Sequence, residues 1–313
     1  MKLFIVLSSC LVLATASGGA LAGPRGTGPA RIANAHEADS LHAAYKTDRE
    51  ATEKALREGA TSYLAAVGRT DFEDKASLVV GRAGDCDLRL DDPELAPHHL
   101  RVTVVGDSFH VEAMEDSAHF MVRGESLRSA NLPPGTLRVG RFSVRLSHQR
   151  FPALIVFDPK SPHFARYHGL EWYPVDLDYR FVAPLTPNPH PDTTIIMSTR
   201  GNARRAVLAG WFDLLVKGKP VRLEAHRLLE PGVGESSVSV FFRDATTGLA
   251  TYEVGRYLDP EHLPNGDWLV DFNYAYNPAC AVSPHYNCPI PSKANTLKIA
   301  ILAGEKDAHY MAH

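Results

Sequence analysis

Cys280, His285 and Cys288 stand in a Cys-x4-His-x2-Cys spacing inside YNPACAVSPHYNCPIP, residues 276–291, a stretch with no formal charge. Two thiolates and an imidazole are zinc ligands, and three ligands leave the open position that a catalytic zinc uses. Structural zinc sites usually pair Cys-x2-Cys units, and no partner pair exists here. Two cysteines in a proline-rich loop also suit a disulfide, the simplest fate in an oxidising compartment. The expectation is a Cys280–Cys288 disulfide and no metal, with packed free thiols and a metal site as the alternatives.

A second concentration of chemistry lies in SVFFRDATTGLATYEVGRYL, residues 239–258. Arginine offers a planar fork matched to carboxylate or phosphate, so Arg243 and Arg256 could clamp an anion. Strand alternation puts Tyr252 and Arg256 on one face. Asp244, Thr246, Thr247 and Gly248 read as the turn of a β-hairpin, with Asp244 bonding its own backbone; the rival role for Asp244 is a general base. In GLEWYPVDLDYR, residues 169–180, Trp172 and Tyr173 suit either the wall of a small-molecule pocket or a half-wet domain rim. The candidate ligand-binding set is Arg243, Asp244, Tyr252, Arg256, Trp172 and Tyr173. No catalytic residue is singled out. Gly-x-Ser-x-Gly, Walker and His-Glu-x-x-His motifs are absent.

The elements that must position these residues are mainly β. Residues 37–69 form an N-terminal helical region with a thin apolar stripe (Leu41, Tyr45, Leu56), so the helix docks on a larger body with its charged face solvated. After Thr70 the apolar period becomes two, and short runs such as HLRVTVV and RFSVRLS predict a small β-sandwich over 70–150. A larger antiparallel β domain follows over 151–313. Its strongest strands are AVLAGWFDLLV, KPVRLEAHRLL, SSVSVFFRD, LATYEVGRYL, DWLVDFN and LKIAILAGE.

VVGRAGDCDLRLDDPELAPHHLRV, residues 79–102, resembles the opening of a forkhead-associated (FHA) domain. Gly81, Arg82 and His99 match that family's Gly-Arg strand end and loop histidine. The resemblance implies a β-sandwich that reads phosphothreonine through an arginine and hydroxyl donors. Ala96 stands where the family carries its loop serine, and Arg123-Gly124 where it often has Asn-Gly. The sandwich is therefore expected to be degenerate, with His99 a satisfied structural histidine. Farther on, GLEWYPVDLDYR, VFFRDATTGLATYEVGRYLD, LVDFNYAYNPACAVSPHYNCPIP and NTLKIAILAGEK resemble the signature blocks of domain-of-unknown-function family 1684. That resemblance extends over nearly the whole mature chain and implies no activity.

The chain opens with one lysine, an apolar run and small residues ending at Ala22, the layout of a signal peptide over residues 1–22, with a flexible linker over 23–36. A periplasmic or secreted protein is expected, without a membrane span in the mature chain. The formal charge of -3 offers no basic block for nucleic acid. Removal of Cys10 leaves Cys86, Cys280 and Cys288, enough for one internal pair. The functional expectation is a non-catalytic binding module for a small anionic ligand or protein segment. A metal-assisted or carboxylate-dependent hydrolase is the first alternative, and a structural part of a cell-envelope complex the second. The sequence names no cofactor, and the partner is an unidentified small molecule or protein.

Overall fold

The computed structural model describes residues 27–310, so the expected leader lies outside the described residues. The expected linker is anchored from Thr27 onward. The Thr27 carbonyl accepts from Leu215 N, Ala30 N donates to Arg180 O, and Pro29 bridges Phe181. Helix α1 spans Ala35–Glu58. Asn34 caps it by accepting from Glu37 N, and Glu37 reaches back to Ala33 N, so two otherwise orphaned donors are satisfied. Of its residues, Tyr45 and Leu56 are buried, as the thin apolar stripe predicts. The docking is largely polar. Tyr45 donates to Asp271, Tyr274 donates to Asp48 at 2.6 Å, and Tyr167 and Leu170 N donate to Glu53 at 2.5 and 2.6 Å.

The sandwich is built from β1 (Ala66–Asp71), β2 (Ser77–Gly81), β3 (Leu88–Arg89), β4 (Leu100–Val105), β5 (Ser108–Ala113), β6 (Phe120–Val122), β7 (Glu125–Leu127), β8 (Ser129–Leu132), β9 (Gly135–Val139), β10 (Phe142–His148) and β11 (Pro152–Phe157). One sheet runs β1-β11-β10-β9-β6-β7, the other β3-β2-β4-β5-β8. The alternating residues read from the sequence meet between them: Leu78, Val80, Leu100, Val102, Phe109, Val111, Leu137, Val144 and Leu146 form one buried cluster. The sandwich reaches beyond 70–150 at both ends, because β1 and β11 pair antiparallel over Ala66–Phe157.

The second unit contains a short helix α2 (His163–Arg166), then β12 (Arg180–Ala183), β13 (Thr186–Pro187), β14 (Thr193–Met197), β15 (Ala203–Val216), β16 (Lys219–Leu228), β17 (Val240–Phe242), β18 (Arg256–Leu258), β19 (Glu261–His262) and β20 (Trp268–Asp271). Its backbone is the long β15–β16 hairpin. Lys217 and Gly218 both sit at positive φ, 48° and 76°, the twist a two-residue hairpin turn requires. Phe212, Leu214, Leu223, Phe242 and Phe272 fill its core.

Two expected β elements differ from the expectation. The hairpin expected over residues 239–258 is reduced to β17 against β18, with residues 243–255 looping out between them. LKIAILAGE bends at residues 298–299 and 303–304, with Ile301 and Ala303 buried and Leu302 exposed, and it joins no ladder. A side chain does the work of a neighbouring strand: the Arg256 guanidinium donates to the carbonyls of Ile301, Ala303 and Glu305, and Asp244 accepts from Ile301 N. Backbone groups that must be paired when buried are paired by an ion pair instead.

Residues 276–291 join the two units. Tyr286 packs edge-on against Tyr63, with ring centroids 5.1 Å apart, and touches the Ala65, Ala66, Ile155 and Phe157 cluster. Arg69 donates to His285 O at 3.3 Å, and Arg200 bridges Pro284 O and Asp71. Among the described residues no helix is long and apolar enough to cross a membrane.

Candidate functional site

Cys280 and Cys288 are free and buried. The expected disulfide is not formed, although both thiols pack in one buried cluster. His285 does not join them as a metal ligand: among the described residues the one His, Cys and carboxylate cluster with ligating geometry is elsewhere. The loop's polar atoms brace backbone. Asn277 N donates to Glu305, Asn277 Nδ2 donates to Lys306 O, and Asn273 Nδ2 donates to Asp176 O. The stretch is thus a packed junction, in which local composition could not distinguish thiols that pack from thiols that react.

The six expected ligand residues separate. Asp244 is 6% and Arg256 1% exposed, and they bond each other at 3.1 Å. The Asp244 carboxylate also accepts from Thr246 N, the Thr246 and Thr247 hydroxyls, and Ile301 N. Neither residue faces a ligand, and Asp244 is no accessible base. Tyr252 is buried outside any strand and donates to Cys280 O. Arg243 is half-buried and donates to Val254 O. These four belong to the interior of the second unit.

Trp172 lines a cleft, and Tyr173 beside it does not. Their segment is pinned by Tyr173 N donating to Gly304 O, by a bridge from Trp172 to Glu305, and by Lys306 over the Tyr173 ring at 5.4 Å. Opposite stands α1. Between them is an open cleft of about 400 Å³, lined by His42, Lys46, Arg49, Glu53, Trp172 and Val175, among others. Arg49 lies over the Trp172 ring, 5.5 Å from its centroid. Its Nε and Nη2 are buried and have no hydrogen-bond partner among the described residues. Burial lowers its pKa, while Glu305, Tyr274 and Tyr45 pull the other way. Behind it, Glu305 is pushed up to about 7, by burial above all, against the Asn277 N–H and the charges of Arg256 and Arg49. Two carboxylates also line the cleft: Glu53, which accepts from Tyr167 and Leu170 N and pairs with Arg57 at 3.6 Å, and Glu50, which pairs with Lys46 at 3.9 Å.

Of the residues singled out from the sequence, Trp172 lines this cleft, and Arg49, which also lines it, was not among them. The charged face of α1 reads as solvated, since nothing local marks one arginine as facing the chain's far end. The available signal was the aromatic segment at 172–173, which needed a partner surface.

In the sandwich, Gly81 allows β2 to touch the following loop: a Cβ there would lie 2.2 Å from Pro97 O. Arg82 is exposed and donates through Nε to Leu95 O. Ala96 is buried without a hydroxyl. His99 is a satisfied structural histidine, accepting from Ala96 N and bonding His119 O through its other ring nitrogen.

Residues 165–306 match the family described as protein of unknown function (DUF1684), and residues 78–140 match the FHA domain. An uncharacterised Haloarcula marismortui protein solved by NMR is similar at 32% identity over 47% of this chain and 80% of its own, with a TM-score of 0.37. An FHA domain solved in a study of phosphothreonine-dependent interactions is 18% identical over 29% of this chain and 95% of its own, with a TM-score of 0.21. Mycobacterium tuberculosis EmbR, in complex with a low-affinity phosphopeptide, is 19% identical over 38% of this chain and 30% of its own, also with a TM-score of 0.21. No curated protein matches the chain.

Proposed function

As the chain belongs to the DUF1684 family of proteins of unknown function and carries an FHA-like sandwich, we propose that it is a non-catalytic binding protein whose second unit holds a small anionic ligand under α1. The observation that carries this reading is Arg49. A guanidinium with two buried, unpartnered nitrogens on the wall of a cleft calls for an acceptor, since buried polar groups are almost always paired. A carboxylate or phosphate ester supplies two oxygens in the geometry that guanidinium prefers. Trp172 supplies a flat apolar wall, and a cleft of about 400 Å³ suits a small molecule. Lys46 stands at its rim, paired with Glu50 at 3.9 Å.

The test is calorimetric titration of the full chain with a panel of small carboxylates and phosphate esters. Arg49→Met should weaken whichever ligand binds by about 10- to 100-fold, the worth of one hydrogen-bonded charge. It should leave the folding midpoint unchanged or raised, because an unpaired buried charge is removed. An affinity indifferent to that substitution would sink the proposal. Export through the leader read at residues 1–22 is part of the same proposal, and an intact mass retaining Met1 in protein recovered from the cell envelope would remove it.

A second reading concerns the sandwich. The FHA match covers Arg82, and that side chain is exposed at the loop end with Nε anchored on Leu95 O. In this reading it receives a phosphothreonine peptide despite the hydroxyl missing at Ala96. The same titration with a phosphothreonine peptide, its unphosphorylated form and Arg82→Ala decides it. Equal binding of the two peptides would end this reading and leave the cleft reading untouched.

A further inference from the structure

We propose that Asp85, Cys86 and His98 form a zinc site that clamps two loops together at one end of the sandwich. A carboxylate oxygen of Asp85, the Cys86 Sγ and a ring nitrogen of His98 all lie within 4.8 Å of one another. Ligands on one tetrahedral zinc are separated by somewhat less than that, so small rotations bring the three onto a common ion. No other such trio occurs among the described residues.

The site is built before any metal arrives. Asp85 and Cys86 lie in the loop between β2 and β3, and His98 in the loop between β3 and β4. The two loops are laced by Arg82 N donating to Ala96 O at 3.3 Å and Ala83 N to Pro97 O at 3.0 Å. Gly81 makes that approach possible, as any Cβ there would collide with Pro97 O. His98 is held from the other side by its N–H donating to the Glu115 carboxylate at 3.0 Å. Its Nε2 lies 3.0 Å from each Asp85 oxygen, and Cys86 Sγ donates to Pro97 O at 3.2 Å. Cys86 and His98 are half-buried and Asp85 is exposed, which gives ions and solvent access.

The donor set selects the ion. Thiolate with imidazole favours zinc over magnesium or calcium, which require oxygen ligands. On binding, the Cys86 thiol gives its proton to solvent and releases Pro97 O. His98 coordinates as neutral imidazole through the Nε2 lone pair, with its proton on Nδ1, and Asp85 turns one oxygen to the ion. Thiolate and carboxylate together neutralise the two positive charges, and water fills the fourth position. Without the ion, burial and the carboxylates of Asp85 and Asp87 hold the thiol protonated, so it is a poor nucleophile.

The experiment strips the full-length protein with a chelator and titrates it with Co²⁺, then displaces Co²⁺ with Zn²⁺. The expected result is one metal per chain by native mass spectrometry and a thiolate-to-cobalt charge-transfer absorption. Cys86→Ser should abolish that absorption. His98→Asn should weaken binding by more than ~10-fold, since even groups that only support a ligand cost that much. Both side chains are half-exposed loop residues, and Asp85→Asn provides a third variant. A charge-transfer band that survives Cys86→Ser, or that disappears in the Cys280→Ser/Cys288→Ser double variant, would overturn the proposal by placing the metal in the junction loop. Absence of any thiolate band would overturn it as well.

Discussion

Asp244→Ala is expected to destabilise the protein by about 3–5 kcal/mol, read as a lower urea midpoint at unchanged slope. The cost comes from what is left behind. Arg256 is 1% exposed, and burial works against its charge, with Asp244 the foremost group favouring it. Removing the carboxylate strands that charge among carbonyls. It also removes the acceptor of Ile301 N, Thr246 N and the Thr246 and Thr247 hydroxyls. A turn cap alone would cost about 1 kcal/mol. Arg256→Met added to Asp244→Ala should cost less than the sum of the two single changes, because no unpaired charge then remains. A cost for Asp244→Ala of about 1 kcal/mol or less would show that Asp244 is only a turn cap.

The second large effect is a pH dependence that runs against the usual direction for a carboxylate. Glu305 titrates near 7 in the folded protein and at 4.5 in its ordinary state, so between those values the folded chain binds the extra proton. Stability is therefore fully supported below 4.5 and is lost as pH rises towards 7, by about 3 kcal/mol in total. Asp71, Asp87 and Asp213 sit below their ordinary values through partners such as Arg69, Lys75 and Arg222, and they lose their contribution in the opposite sense, as pH falls. Glu305→Gln should abolish the Glu305 slope and exceed the wild type in stability above about pH 7, measured by urea midpoints on both sides of that value. The same residue bears on the cleft. A deprotonated Glu305 competes with an anion for Arg49, so ligand affinity should fall as pH rises through that range. If wild type and Glu305→Gln show identical pH profiles, Glu305 is not the group responsible.

Much of the architecture was legible because it is periodic. The alternation in HLRVTVV and RFSVRLS maps onto β4 and β10, and the apolar runs around Lys217-Gly218 onto the β15–β16 hairpin. The thin stripe of α1 foretold a helix with few buried residues. What failed was the assumption that an apolar run completes itself by pairing with a strand. LKIAILAGE is satisfied by a guanidinium from another part of the chain, and no local pattern records that. The candidate site failed for the same reason. Arginines and a tyrosine on a recognition-rich stretch look alike whether they face a ligand or the interior, whereas Arg49 acquires its position from contacts distant in sequence. The loop at residues 276–291 showed its unusual composition but not its role, because a junction is defined by both of the surfaces it joins.

The docking of α1 also sets an order of events. Tyr45 reaches Asp271 and Asp48 is reached by Tyr274, each across 226 positions of chain. A contact of such separation forms late, after the loop entropy between its ends has been overcome. As the chain emerges from the ribosome, α1 waits without its docking surface, and its polar composition lets it wait without aggregating. The wall carrying Arg49 is then put in place by one of the last steps of folding, so a chain stopped before residue 271 would have no cleft, however well its sandwich had formed.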